Sequence, residues 1–211
     1  MYTGLLSTPP TVSTFDFVFN WYLVSGIISG GFVIGLLIYF AVRYRAKEGR
    51  VLGKTSRPES IWVVMAVILI MGSALFAAGY QTFAAASNIE IPNNPDAVHI
   101  HVNGFQWGWN FTYPNGSFTI DKLTVPVNKV IVLNVTSSDV FHDFGIPMLA
   151  VKEDAIPGQV NQLWFEIQTP GVYPEAIHCF ELCGVGHAYM VANLTAVDDA
   201  TWNTMMNSTG T

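Results

Sequence analysis

Both cysteines of the 211-residue chain fall within residues 178–190 (HCFELCGVGHAYM), beside His178, Glu181, His187 and Met190. Thiolate and thioether are soft ligands that suit copper, and imidazole suits it too. A further histidine, His142, lies in residues 140–147 (VFHDFGIP), bracketed by apolar residues as a ligand buried between strands would be. One cysteine, two histidines and an axial methionine would make a mononuclear blue-copper site. The second cysteine changes the count. Cys179 and Cys183 can bridge two ions, leaving one imidazole for each, His142 and His187. Met190 then stands axial to one metal, and a backbone carbonyl near Glu181 axial to the other. That donor set describes a dinuclear electron-transfer centre.

On the residues alone, duller readings stay open. Two cysteines outside the cytoplasm can form a disulfide. Two cysteines and two histidines can close a structural zinc site, although zinc gives Met190 no task. A buried methionine can simply be core. The whole spacing C-x-x-x-C-x-x-x-H-x-x-M, with an upstream histidine, is more specific than any of its parts.

The elements that must position these groups divide the chain in two. The chain is 51% hydrophobic and only 11% charged, against about 25% charged in ordinary soluble domains. Residues 18–42 and 61–83 carry no charge, and each exceeds the roughly 20 residues a helix needs to cross a bilayer. Gly26, Gly30, Gly31 and Gly35 form G-x-x-x-G spacings that allow close approach of another helix. Residues 1–15 lack the basic start of a signal peptide. The expected layout is a helix hairpin over 1–86 with loop 43–60, a β domain over 87–197, and an exposed tail over 198–211.

Loop 43–60 holds Arg43, Arg45, Lys47, Arg50, Lys54 and Arg57, whereas residues 86–211 have three lysines against twelve carboxylates. The positive-inside rule puts this loop in the cytoplasm, and both termini and the β domain outside. Five Asn-x-Ser/Thr triplets, at Asn110, Asn115, Asn134, Asn193 and Asn207, lie on the outer side and are potential glycan acceptors. Strand periodicity appears where Val98, Ile100 and Val102 alternate with His99, His101 and Asn103. Strands are also expected over 129–135, 159–167 and 189–197. Several short strands spaced by turns predict a sandwich or small barrel, with the cysteine loop between its last two strands. No repeat, phosphate-binding loop or nucleic-acid signature is present.

Taken together, the chain resembles subunit II of the haem-copper cytochrome c oxidases. The resemblance rests mainly on residues 140–162 (VFHDFGIPMLAVKEDAIPGQVNQ) and 178–190. It implies a transmembrane hairpin followed by an all-β, cupredoxin-like Greek-key domain carrying a dinuclear copper (CuA) centre. His142, Cys179, Cys183, His187 and Met190 would be its ligands, with the Glu181 carbonyl. The Glu181 side chain would reach a magnesium or manganese ion shared with the catalytic subunit. Gln106-Trp107-Gly108-Trp109 resembles the aromatic segment whose first tryptophan receives electrons. Glu59-Ser60-Ile61-Trp62 resembles the start of the second helix, where the glutamate lies at the mouth of a proton channel.

The implied partners are a haem-bearing subunit I, further subunits, membrane lipid, and a soluble cytochrome c or blue-copper protein as donor. Oxygen reduction and most proton translocation would belong to the partner. A self-standing, membrane-anchored copper-binding or copper-delivery protein is the alternative, but it would have no use for Glu59, Trp107 and Glu181. Three features depart from the family. Gly108 stands where an aromatic is common, which should leave Trp107 isolated. Gln159 replaces a frequent arginine, so a salt bridge is lost. His178 abuts Cys179 and should face away from it. Asp139, Asp143, Glu153 and Asp154 are candidates for an acidic docking rim around His142.

Overall fold

Helix α1 (Pro10–Arg43) and helix α2 (Ile61–Ala86) contain the two uncharged stretches. The computed structural model describes residues 10–45, 60–86 and 90–208; Glu59 and most of the basic loop lie outside them. The chain divides into two units, residues 16–87 and residues 1–15 with 88–211. At 1.5 Å per residue, the 34 residues of α1 extend about 51 Å, well beyond the roughly 30 Å of a hydrocarbon core. The helix begins at Pro10 rather than near residue 18, because charge-free length marks the membrane span and not the helix end. Proline is tolerated in a first helical turn, and Thr11, Ser13 and Thr14 do not break the helix.

Within the helical unit, the Tyr22 hydroxyl lies 2.7 Å from Thr82 Oγ1 and donates to the Ala78 carbonyl at 3.4 Å, tying α1 to α2. The glycines of α1 meet nothing at the position of a Cβ, so α2 does not pack on that face. Ile28, Phe32 and Leu37 of α1, and Leu69, Leu75 and Phe76 of α2, are each more than half exposed. Apolar surface of that extent is suited to lipid rather than water.

The β unit is two five-stranded sheets around one core. The first holds β1 (Val98–Phe105), β2 (Gly108–Thr112), β3 (Phe118–Ile120), β5 (Ile131–Ser137) and β8 (Asn161–Phe165), in the order β3-β2-β1-β5-β8. The second holds β4 (Lys122–Pro126), β6 (His142–Ile146), β7 (Val151–Ala155), β9 (Gly171–Cys179) and β10 (Val191–Val197), in the order β4-β10-β9-β6-β7. Pairs β1–β5 and β4–β10 run parallel, and the remaining pairs antiparallel. Alternation along β1 buries Ile100 and Val102 against Phe111, Leu133, Phe144, Ile177 and Leu194 from both sheets. Trp109 meets Phe144 edge-on across the core at 5.0 Å, a geometry that aromatic quadrupoles favour.

Strand β9 and the C-terminal segment are two places where the structure departs from the sequence reading. Strand β9 was hidden because Pro174 and Glu175 interrupt its pattern. Glu175 adopts a positive φ of 48°, the register against β10 shifts between Ala192 and Leu194, and the Glu175 N–H is satisfied by Asn193 Oδ1 at 2.9 Å. Such a bulge keeps a strand going past a proline. The expected exposed tail is instead a helix, α3 (Asp199–Asn207). Asp198 caps it by accepting from the Thr201 N–H at 2.7 Å, and Trp202 is buried edge-on against Tyr113 at 6.1 Å.

Candidate metal centre

His142 opens β6, Cys179 ends β9, His187 starts a short 3₁₀ turn (His187–Tyr189), and Met190 precedes β10. The strands fix both ends of the loop. Cys179 N–H donates to the Met190 carbonyl at 3.1 Å, and Phe180 N–H to the Asp143 carbonyl at 2.8 Å. The loop thus leaves and re-enters the second sheet beside His142.

The side chains converge in an ordered series. His142 Nδ1 lies 3.9 Å from Cys179 Sγ, which lies 3.8 Å from Cys183 Sγ. Cys183 Sγ is in turn 3.7 Å from His187 Nδ1 and 3.7 Å from Met190 Sδ. At the other end, Cys179 Sγ is 3.2 Å from the Glu181 carbonyl oxygen. Both cysteines are free and buried, and His142 and Met190 are fully buried. His142, Cys179 and Cys183 form a compact group able to hold a metal.

Burial, with the adjacent Cys179, pushes the Cys183 thiol up to about 11. A metal taken up here must displace that proton, as thiolate sites do. The donor chemistry fits two copper ions. Two thiols lie side by side, each has its own imidazole, one has a thioether and the other a carbonyl. A closed tetrahedral zinc site would use four of these groups and leave the thioether and the carbonyl without a task.

Asp139 has a role that the sequence did not reveal. Its Oδ1 lies 2.9 Å from His142 Nε2, while Oδ2 accepts from the Gln106 N–H at 2.7 Å. Burial pushes its carboxyl up, but hydrogen bonds from His142, Val140 and Gln106 outweigh that and hold it below the ordinary value. A carboxylate on the far nitrogen fixes the orientation of a ligating imidazole. Only the Asp–His spacing of three residues hinted at this.

Asp143 is not on the rim. It is buried, and its Oδ2 accepts from Lys152 Nζ at 2.5 Å. Asp143 holds the Lys152 ammonium above the usual lysine range, and Lys152 also lies 5.8 Å from the Phe180 ring centre. Glu153 is half-buried, and Asp154 alone of the four is exposed without a bond to this centre. The exposed neighbours of the centre are mostly apolar: Phe141, Leu182, Val185 and Tyr189. His178 is half-buried, and its ring centre lies 6.3 Å from that of Phe180.

Trp107 is not isolated. Its indole Nε1–H donates to the Cys183 carbonyl at 3.2 Å, and Gln106 Nε2 donates to the same oxygen at 2.7 Å. A Cβ on Gly186 would lie 2.3 Å from Trp107 Cδ2, so the bare backbone of the loop is the seat of the ring. Gly108 has its own reason. A Cβ there would come 2.9 Å from Phe105 and 3.0 Å from Asp121. Gln159 Nε2 donates to Asn161 Oδ1 at 2.6 Å.

Comparison with known proteins gives the family. Residues 117–197 match the family described as cytochrome c oxidase subunit II, periplasmic domain. Haem-copper oxidase subunit 2 of Aeropyrum pernix is 33% identical over 94% of this chain and 91% of that protein. The chain belongs to the subunit II family of the haem-copper oxidases. A probable cytochrome c oxidase subunit 2 of Rickettsia bellii is 30% identical over 75% of this chain and 65% of its own length. The crystal structure of the periplasmic domain of subunit II of cytochrome oxidase from Bradyrhizobium japonicum superposes with a TM-score of 0.51. It is 32% identical, covering 57% of this chain and 96% of that one. As a subunit II, the protein is an electron-transfer subunit of a terminal oxidase and a non-catalytic part of an oxidoreductase. It is a membrane protein with an extracytoplasmic β domain.

Proposed function

We propose that this subunit II accepts electrons at a dinuclear copper centre held by His142, Cys179, Cys183, His187, Met190 and the Glu181 carbonyl. The observation that carries this reading is the ordered series of donor atoms from His142 through both thiols to His187, with steps of 3.7–3.9 Å. Two copper ions held by these groups would supply a one-electron carrier. The chain's own work is to hold that donor set still and dry. His142 and Met190 admit no solvent, Asp139 fixes the His142 ring, and β6, β9 and β10 fix the loop. Ligands that cannot rearrange keep the cost of changing charge small.

Trp107 is the proposed port for electrons. The residue is 40% exposed and its indole N–H is bonded to the backbone of a thiol-bearing residue, so it joins the surface to the centre. Phe141, Leu182, Val185 and Tyr189 would contact the donor, a soluble cytochrome c or blue-copper protein. The net negative charge of the outer domain would attract a basic donor from a distance. A haem-bearing catalytic subunit would take the electrons onward and reduce oxygen. Glu181 would lend its carboxylate to a magnesium or manganese ion at that boundary, and Glu59 would stand at a proton inlet on the cytoplasmic side.

Purification in mild detergent tests the assembly. A haem-bearing membrane protein should accompany the chain in constant proportion. Recovery of a copper-loaded chain with no haem partner would favour a self-standing copper protein instead.

A further inference from the structure

Two of the five histidines lie far along β1 from the cysteine loop. His99 and His101 are exposed, while Ile100 and Val102 between and beyond them are buried. Alternate residues of a strand share one face and stand about 7 Å apart, a span that two imidazoles can close on one ion. Both line an open cleft of about 660 Å³ together with Tyr113, Asn115, Trp202 and Met206. Among the described residues its lining includes no lysine or arginine that would oppose a metal.

Met206 is held in place by the fold. Asn115 Nδ2 donates to the carbonyls of Met205 and Met206, both at 3.2 Å. One turn earlier, buried Trp202 anchors α3 against Tyr113. The thioether therefore sits on a pinned helix end, and the imidazoles on a central strand, which is how a site keeps its geometry. Those bonds also occupy the Asn115 amide, one of the five potential glycan acceptors.

We propose that His99, His101 and Met206 form a second metal site, separate from the cysteine centre, that binds one cuprous ion. Imidazole suits several first-row metals, but a thioether selects the soft monovalent ion over zinc. With both histidines exposed, the ion is exchangeable, in contrast to the buried cysteine centre.

The test is a metal titration of the full-length protein, already loaded at the cysteine centre, with cuprous ion under reducing conditions. The wild type should take up one further copper per chain. The double variant His99→Asn/His101→Asn should lose that copper while its thiolate–copper absorption, read after reoxidation, stays unchanged. Met206→Leu should weaken cuprous binding and leave nickel binding to the histidine pair intact. Equal copper uptake by wild type and double variant would overturn the site. Zinc displacing the bound cuprous ion at equal concentration would overturn its assignment to soft metal. Because the cysteine centre is read separately, failure of this site leaves that reading untouched.

Discussion

The indole nitrogen of Trp107 lies 3.2 Å from the carbonyl oxygen of Cys183. A partly exposed aromatic ring is thereby bonded to the backbone of one of the two bridging candidates, with no side chain between them. Removing the ring with Trp107→Gln should slow oxidation of the donor at every ionic strength, without altering the copper spectrum. Gly186→Ala should do the same by pushing the ring off its seat, since overpacking of this kind costs typically 1–3 kcal/mol. Stopped-flow oxidation of reduced donor measures both. A normal rate in either variant would mean that electrons arrive elsewhere.

Asp139→Asn tests the support of His142. It keeps the size of the side chain but removes the charge that orients the ring. Loss of such a partner typically costs 10- to 100-fold in metal affinity. Competition with a copper chelator should show a drop of about that size, and unchanged affinity would assign Asp139 to the surface.

Lys152→Met should leave the buried Asp143 carboxylate without its partner. An unsatisfied buried polar group costs about 1–3 kcal/mol, more when it is charged; the outer part of Lys152 is open to water, which argues for the lower end. Denaturant unfolding of the copper-free protein should show this loss. Adding Asp143→Leu should recover most of it, because an apolar pair can replace a buried ion pair. If the double variant is no better than the single, the pair does not act as a unit.

The charge asymmetry predicts orientation. Protease added to intact cells should digest the β domain and spare the loop of residues 43–60. Cutting of that loop from outside would reverse the assigned topology.

The donor groups of the candidate centre were legible because chemistry constrains them twice, by residue type and by loop spacing. The outward histidines of β1 were visible as period-two alternation. What stayed hidden was set by tertiary contacts. Asp143 reads as a surface charge until Lys152 is seen folded over it, and Trp107 appears isolated until the bare Gly186 backbone is found beneath it. Strand β9 was masked by Pro174, whose bulge depends on Asn193 from the neighbouring strand. Helix α3 did carry a local signal: Asp198 as a cap, Asp199 in the first turn, then Trp202, Met205 and Met206 at helical spacing.

The central claim is a pair of copper ions bridged by Cys179 and Cys183. Its most direct test is electron paramagnetic resonance of the purified full-length protein carrying the His99→Asn/His101→Asn substitutions, with copper counted per chain. The account predicts two coppers sharing one unpaired electron, with hyperfine splitting from both nuclei, and loss of that signal in Cys179→Ser and in Cys183→Ser. One copper per chain with an ordinary mononuclear signal, or a Cys179–Cys183 disulfide in the copper-loaded protein, would contradict it.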